Sequence, residues 1–295
     1  MRPFNPVVGV VAKPAYPLAV PDSVLRVFID TDGGSLAALD SRPVGSAQGT
    51  AVFVPGFSGS KEDFIPMLAV LGTAGYRVVC IDQRGQYEST GPMEPDEYSM
   101  ALFTRDLLAV ITAVGRSGPV HLLGHSFGGL VARRAAIAAS SRVRSLTLLD
   151  SGPDGASLSR RRLLGPLTWL IRLSSPAVLA AMLARVAPKT GVPDNRLTWM
   201  RYRLQLSNRA NLIAVCRAMA AEPDLVEELL ATAIPCLVLC GEDDDAWSAD
   251  TQIEMADRLA ARVVVIKNAG HTPNEDQPED TAEALLTFWK AIDSR

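Results

Sequence analysis

The sequence predicts an α/β protein: a mostly parallel, doubly wound sheet of about eight strands, with an all-helical lid inserted late in the chain. Three observations carry this. Short apolar runs alternate with longer stretches whose apolar residues recur at helical spacing, the pattern of a parallel sheet covered on both faces. The runs are continuously apolar, as strands buried on both faces are. The alternation stops at residue 154 and resumes at 233, with only helix-like segments between. Residues 1–153 and 233–295 are therefore expected to form the core domain, and 154–232 the inserted lid.

Taken in order, residues 1–23 read as an irregular lead-in holding Pro3, Pro6 and Pro14. Leu25 to Asp30 and Ser35 to Arg42 read as a hairpin around Asp32, Gly33 and Gly34. Thr50 to Val54 is a continuous apolar strand closed by Pro55 and Gly56, and the helix after it, from about Lys61 to Ala74, stops at Gly75. Arg77 to Ile81 is a buried strand ending at Asp82. A polar loop over 83–97 leads into a helix from Tyr98 to Val114. Val120 to Leu123 and Val143 to Leu149 are further strands, separated by a helix from Leu130 to Ala139. After the insertion come a strand from Cys236 to Cys240, a helix from about Asp250 to Ala261, a strand from Val263 to Ile266, and a helix from about Pro278 to Ile292.

Composition narrows the function. Of 295 residues 48% are hydrophobic and 21% charged, the balance of a protein with a large core. A net charge of -3 offers no basic surface for nucleic acid. The four cysteines have no metal-site spacing, and three lie in apolar strand-like runs, where cysteine acts as a small hydrophobe. No phosphate-binding glycine loop is present, so neither metal nor cofactor is expected. The apolar stretch from Leu163 to Ala187 is broken by Gly165, Pro166, Arg172, Pro176 and Arg185, against a stable membrane insertion. With no signal-peptide pattern over Met1 to Tyr16, the expected location is the cytoplasm. The sequence leaves monomer and homodimer open.

The chemistry centres on Gly124-His125-Ser126-Phe127-Gly128, which follows a strand and opens a helix. A serine on such a turn stands clear of the sheet, and glycines two residues either side relieve the crowding. The pattern arises by chance in about one chain in ten of this length, so its partners decide its meaning. A serine hydroxyl needs a base, and the base a carboxylate to orient it. His121 belongs to the strand and reads as a core residue. His125 is adjacent to the serine, and neighbouring side chains on a sharp turn point apart. His271 follows a strand, in a loop able to reach over the sheet. For the acid, Gly241-Glu242-Asp243-Asp244-Asp245 supplies four carboxylates and Asp150 is a rival. Either fits the chain order serine, acid, histidine. The backbone N–H of Phe127, just after the serine, is one expected oxyanion donor.

These motifs, with Pro55-Gly56-Phe57-Ser58-Gly59-Ser60, Ile81-Asp82-Gln83-Arg84-Gly85 and Gly270-His271, resemble the α/β-hydrolase fold superfamily. The resemblance spans residues 50–272. It implies Ser126 as nucleophile, His271 as base and Asp244 as acid, with Asp150 at the family's alternative acid position. It also implies the N–H of Phe57 as second oxyanion donor, although the histidine that often precedes that loop is missing. The turn at Asp82 resembles the family's Asp-x-Arg-Gly but departs after it, at Gln86, and reads as structural. Arg160, Arg161 and Arg162 read as a solvated face.

Trp169, Trp199, Met200 and Trp247 are candidates to line a cavity under the lid, with Trp169, Met200 and Trp247 taken as substrate-binding. The resemblance implies a serine hydrolase acting on a small or medium, partly apolar ester. Thioesterase, lactonase, carbon–carbon bond hydrolase and perhydrolase chemistry, or a receptor-like protein that binds with little turnover, share the same constellation.

Overall fold

The computed structural model describes residues 2–3, 20–156, 158–174, 178–179 and 194–294. Most of the expected lead-in and residues 180–193 of the expected lid lie outside the described residues. Among the described residues the strands form one nine-stranded sheet in the order β1-β2-β3-β5-β4-β6-β7-β8-β9. They are β1 (Arg2–Pro3), β2 (Val24–Thr31), β3 (Gly34–Ser41), β4 (Gly49–Val54), β5 (Tyr76–Ile81), β6 (Val120–His125), β7 (Val143–Leu149), β8 (Cys236–Gly241) and β9 (Arg262–Ile266). The strand beyond the expected eight is β1, two residues that pair antiparallel with Val27 and Phe28. The β2–β3 hairpin joins antiparallel, and the six strands from β5 to β9 are parallel.

Strand periodicity explains why the sheet is covered on both faces. Val52 and Val54 of β4 point into one core with Leu122 and Leu148, while Ala51 and Phe53 point into the other with Leu123 and Leu149. Helices α2 (Met100–Val114) and α3 (Phe127–Ala138) cover the first face, and α1 (Ile65–Thr73) covers the second with the C-terminal helix. Side chains such as Phe53 and Leu122, at 0% and 1% exposed, contribute about 1.5–3 kcal/mol each by leaving water.

Between β7 and β8 the described residues form helices only: α4 (Leu158–Leu173), α5 (Asp194–Leu206), α6 (Arg209–Ala221) and α7 (Val226–Leu230). The chain closes with α8 (Ala249–Arg258), the short α9 (Pro273–Asp276) and α10 (Pro278–Asp293). No helix among the described residues is long and apolar enough to cross a membrane.

The strand order fixes where a site belongs. From β4 the chain steps to β5 on one side, then crosses to β6 on the other. At such a switch point the loops leaving the two strands diverge and open a crevice at their carboxyl ends. Here those loops begin at Pro55 and at Ser126.

Candidate active site

Ser126 sits at the crevice with φ 53° and ψ -122°, a conformation costing an L-residue of order 1–3 kcal/mol. Its surroundings hold it there. The Ser126 N–H donates to the carbonyl of Leu149 at 2.9 Å, and its carbonyl accepts from Gly129 at 2.9 Å. The turn is too tight for side chains on either flank. A Cβ at position 124 would lie 2.3 Å from the Gly128 carbonyl oxygen, and one at 128 would lie 2.3 Å from that of Val54.

Three expected site residues meet here. The Oγ of Ser126 donates to Nε2 of His271 at 2.9 Å, and Nδ1 of His271 donates to Oδ1 of Asp244 at 2.8 Å. Asp244 is held in turn: its Oδ1 accepts from the Ala246 N–H at 2.7 Å and its Oδ2 from the Gln252 side chain at 2.8 Å. Burial would push the Asp244 carboxyl up, but the bonds from His271 and Ala246 outweigh it and hold it below the usual carboxylate range. In such an array the imidazole can take the hydroxyl proton while a carboxylate stabilises the resulting cation.

Asp150 lies close by, with a carboxylate oxygen within 4.8 Å of ligand atoms of both Asp244 and His271. It is fully buried, and its Oδ1 accepts from the Gly241 N–H at 2.9 Å. Burial, reinforced by the negative charge of Asp244, pushes its carboxyl well above the carboxylate range. The two neighbouring acids are thus shifted in opposite directions.

The other histidines are accounted for. His121 bonds Ser145 and Asp293 in the core. His125 donates from Nε2 to the backbone carbonyl of His271 at 2.7 Å. Burial, and then the neighbouring His271, push His125 down to about 3, so it stays neutral.

The loop leaving β4 comes within van der Waals reach of the serine: a Cβ at Gly56 would lie 2.9 Å from that of Ser126. Side chains from the turn after β5 pin this loop. Gln83 donates to the Pro55 carbonyl at 2.9 Å and Gln86 to the Gly56 carbonyl at 2.8 Å. These bonds fix the orientation of the peptides on either side of Gly56, and across a trans peptide the Phe57 N–H points opposite to the Gly56 carbonyl. Asp82 accepts from the Lys61 N–H at 2.7 Å just beyond the loop. The Lys61 ammonium, 1% exposed, donates to Asp82 and Glu88, both at 2.7 Å, and lies over the Tyr87 ring. The turn read as structural is thus a buttress for the loop. Gln86, the point of departure from the family pattern, was the one sequence signal of this. Phe127 opens α3, where the first helical N–H groups lack helical partners.

A cavity of about 410 Å³ opens over Ser126 and His271. Phe57, Leu164, Leu167, Met200, Met219 and Trp247 give it an apolar wall. Met200 and Trp247 fall where the sequence reading put them, but Trp169 does not. It is 64% exposed on the outside of α4, because Leu164, Leu167 and Ile171 define the inward stripe and Trp169 falls across the helix from them. Trp199 is buried against Tyr87, ring centroids 5.7 Å apart, and is absent from the cavity wall. The sequence reading missed Gln252 and the charged wall formed by Asp63, Arg196, Arg203 and Glu275.

A model of the Alpha/beta hydrolase family matches residues 51–284. The chain belongs to the alpha/beta hydrolase family. This alpha/beta hydrolase is 36% identical over 263 residues to a candidate carbamate hydrolase, RutD, of Variovorax paradoxus, covering 84% of this chain and 94% of the relative. It is 27% identical over 279 residues, 89% of this chain and 97% of the relative, to a candidate 2-succinyl-6-hydroxy-2,4-cyclohexadiene-1-carboxylate synthase of Bacillus subtilis. Among solved structures, a malate-bound thermophilic esterase from Thermogutta terrifontis superposes with a TM-score of 0.75 at 25% identity, over 91% of this chain and 99% of that one. The protein is an enzyme of the hydrolase class.

Proposed function

We propose that this alpha/beta hydrolase cleaves a small or medium, partly apolar ester through an acyl-enzyme on Ser126. The carrying observation is the unbroken hydrogen-bonded chain Asp244–His271–Ser126, with bonds of 2.8 and 2.9 Å. Ser126 Oγ attacks the ester carbonyl carbon as its proton passes to Nε2 of His271. The N–H groups of Phe57 and Phe127 donate to the developing oxyanion. Collapse expels the alcohol, which leaves with the proton from His271. Water then gives a proton to His271 and attacks the acyl carbon, and Ser126 is regenerated as the acid departs. Asp244 orients His271 and stabilises its cation. The helices between β7 and β8 act as a lid, residues 154–232, over a core of 1–153 and 233–295. The likeness to a candidate carbamate hydrolase favours carbamates as a second acyl class, through the same attack. Four buried free cysteines support a reducing compartment, the cytoplasm.

The test is a panel of p-nitrophenyl esters with the wild type and Ser126→Ala, alongside labelling by a fluorophosphonate probe. Turnover and labelling that vanish in Ser126→Ala are the expected result. Undiminished turnover in the variant overturns the reading.

A further inference from the structure

The loop that carries His271 is held from two sides. From the sheet, His125 donates to the His271 carbonyl at 2.7 Å. From the inserted helices the contact comes from Arg196 of α5, 76 positions before Thr272 in the chain. Arg196 Nη2 donates to the Thr272 hydroxyl at 2.8 Å and to Glu275, and Nη1 donates to Oδ1 of Asp276 at 2.9 Å. Oδ2 of Asp276 accepts from the Gly270 N–H at 3.1 Å and from the Thr272 hydroxyl at 3.4 Å. One guanidinium therefore engages both neighbours of His271: Thr272 directly, and Gly270 through Asp276. Its planar fork fixes these groups relative to one another, as a flexible point charge would not. The cluster is also largely out of water, with side-chain exposures of 16% for Arg196, 13% for Glu275 and 28% for Asp276, unlike an ordinary surface ion pair.

The plainer account makes Arg196 a fastening for α5. Yet α5 is already fastened without it. About two turns further on, Arg203 bonds Ser60 and Asp63. Between the two arginines, Trp199 and Tyr202 pack edge-on against Tyr87, ring centroids 5.7 and 6.3 Å apart. Fastening also leaves unexplained why every side-chain hydrogen bond of Arg196 among the described residues goes to Thr272, Glu275 or Asp276.

We propose that Arg196 is a positioning residue for His271, clasping its loop from the cavity wall so that Nε2 stays on the Ser126 hydroxyl. This rests on the hydrolase reading of Ser126 and adds a residue that no step of that mechanism uses. Arg196 acts through the loop and not on the reacting atoms. A base displaced by about 1 Å can cost on the order of 10²-fold in rate. His125 and Asp244 still hold the imidazole when Arg196 is lost, so a smaller effect is expected.

The test measures p-nitrophenyl butyrate turnover and fluorophosphonate labelling of Ser126 in Arg196→Met, Thr272→Val and the double variant. Arg196→Met should lower kcat about tenfold with KM within about twofold, and labelling should slow in parallel. The double variant should be no slower than Arg196→Met, because both changes remove one contact. Arg196→Lys keeps a cation opposite Glu275 and Asp276 without the fork, so it should recover stability in urea but not kcat. A residue that only fastens α5 behaves otherwise: the wall at Met200 shifts, the loss falls in KM, and Arg196→Lys restores activity together with stability. That pattern, losses that multiply in the double variant, or unchanged kcat in Arg196→Met overturns the proposal and leaves the hydrolase reading standing. If the wild type neither cleaves the ester nor takes the label, the hydrolase reading fails and proton NMR decides. The downfield resonance of the His271 Nδ1–H bonded to Asp244 should then shift or broaden in Arg196→Met, and an unchanged resonance overturns the proposal.

Discussion

The imidazole of His125 donates a hydrogen bond from Nε2 to the backbone carbonyl of His271, 2.7 Å away. The residue before Ser126 thus holds the loop that carries His271. Replacing it by phenylalanine leaves that carbonyl without its donor, a loss of about 1–3 kcal/mol in holding the loop. We expect His125→Phe to lower kcat about tenfold with KM little changed, and His125→Asn, which retains a donor, to recover part of it. Because His125 is pushed down to about 3, the acidic limb of the kcat profile should stay in place in both variants. Stopped-flow rates across pH 5–9 check this.

Asp244 and Asp150 should separate cleanly. Asp244→Asn removes the charge that stabilises the His271 cation and can turn an amide N–H toward Nδ1, favouring the wrong tautomer, and kcat should fall by about 10³–10⁴. Asp150→Asn keeps the acceptor for the Gly241 N–H and removes only a carboxyl whose charged form burial disfavours, so kcat should remain within about tenfold.

Their stability profiles should differ in sign. The folded pKa of Asp244 is lowered, so its stabilisation is present above the unfolded carboxylate value and lost as pH falls through the folded one. That of Asp150 is raised, so its contribution is full below the unfolded value and lost as pH rises through the folded one. Asp150→Asn should therefore gain stability over the wild type as pH rises, and Asp244→Asn should lose the acid-side decline. Thermal unfolding across a pH series measures both.

The Gln86 side chain donates to the Gly56 carbonyl at 2.8 Å. Gln86→Leu should let that peptide drift and lower kcat about 10–100-fold with a small change in KM, short of the full loss of an oxyanion donor. Fluorophosphonate labelling of Ser126 should slow in parallel.

Lys61→Met removes the cation that Asp82, Glu62 and Glu88 surround. Stranding buried carboxylates should cost about 3–5 kcal/mol, read by urea denaturation. Adding Asp82→Asn should recover part of the loss, since it removes one stranded charge.

The strands were legible because apolar runs are local signals. β7 falls where its apolar run predicts, the other expected strands differ at their ends by one or two residues, and only β1, two residues in the expected irregular lead-in, was missed among the described strands. Ser126, His271 and Asp244 were legible because each follows a recognisable strand. What escaped depends on contacts between distant segments. Gln86 and Gly56 are 30 positions apart, and Arg203 and Asp63 are 140 apart. No periodicity reports such pairs. Trp169 was misplaced for a different reason: residue type suggested a cavity wall, while the phase of α4, set by Leu164 and Ile171, turns it outward.

The backbone at Ser126, with φ 53°, suits glycine better than serine. Ser126→Gly would relax that conformation and remove the hydroxyl in one step. A population of this chain selected only for heat resistance would be drawn toward that replacement, and under the proposed mechanism every member that accepted it would be inert. Serine thus occupies a position where folding alone disfavours it, a cost in the main chain that can be read before any side-chain partner is considered.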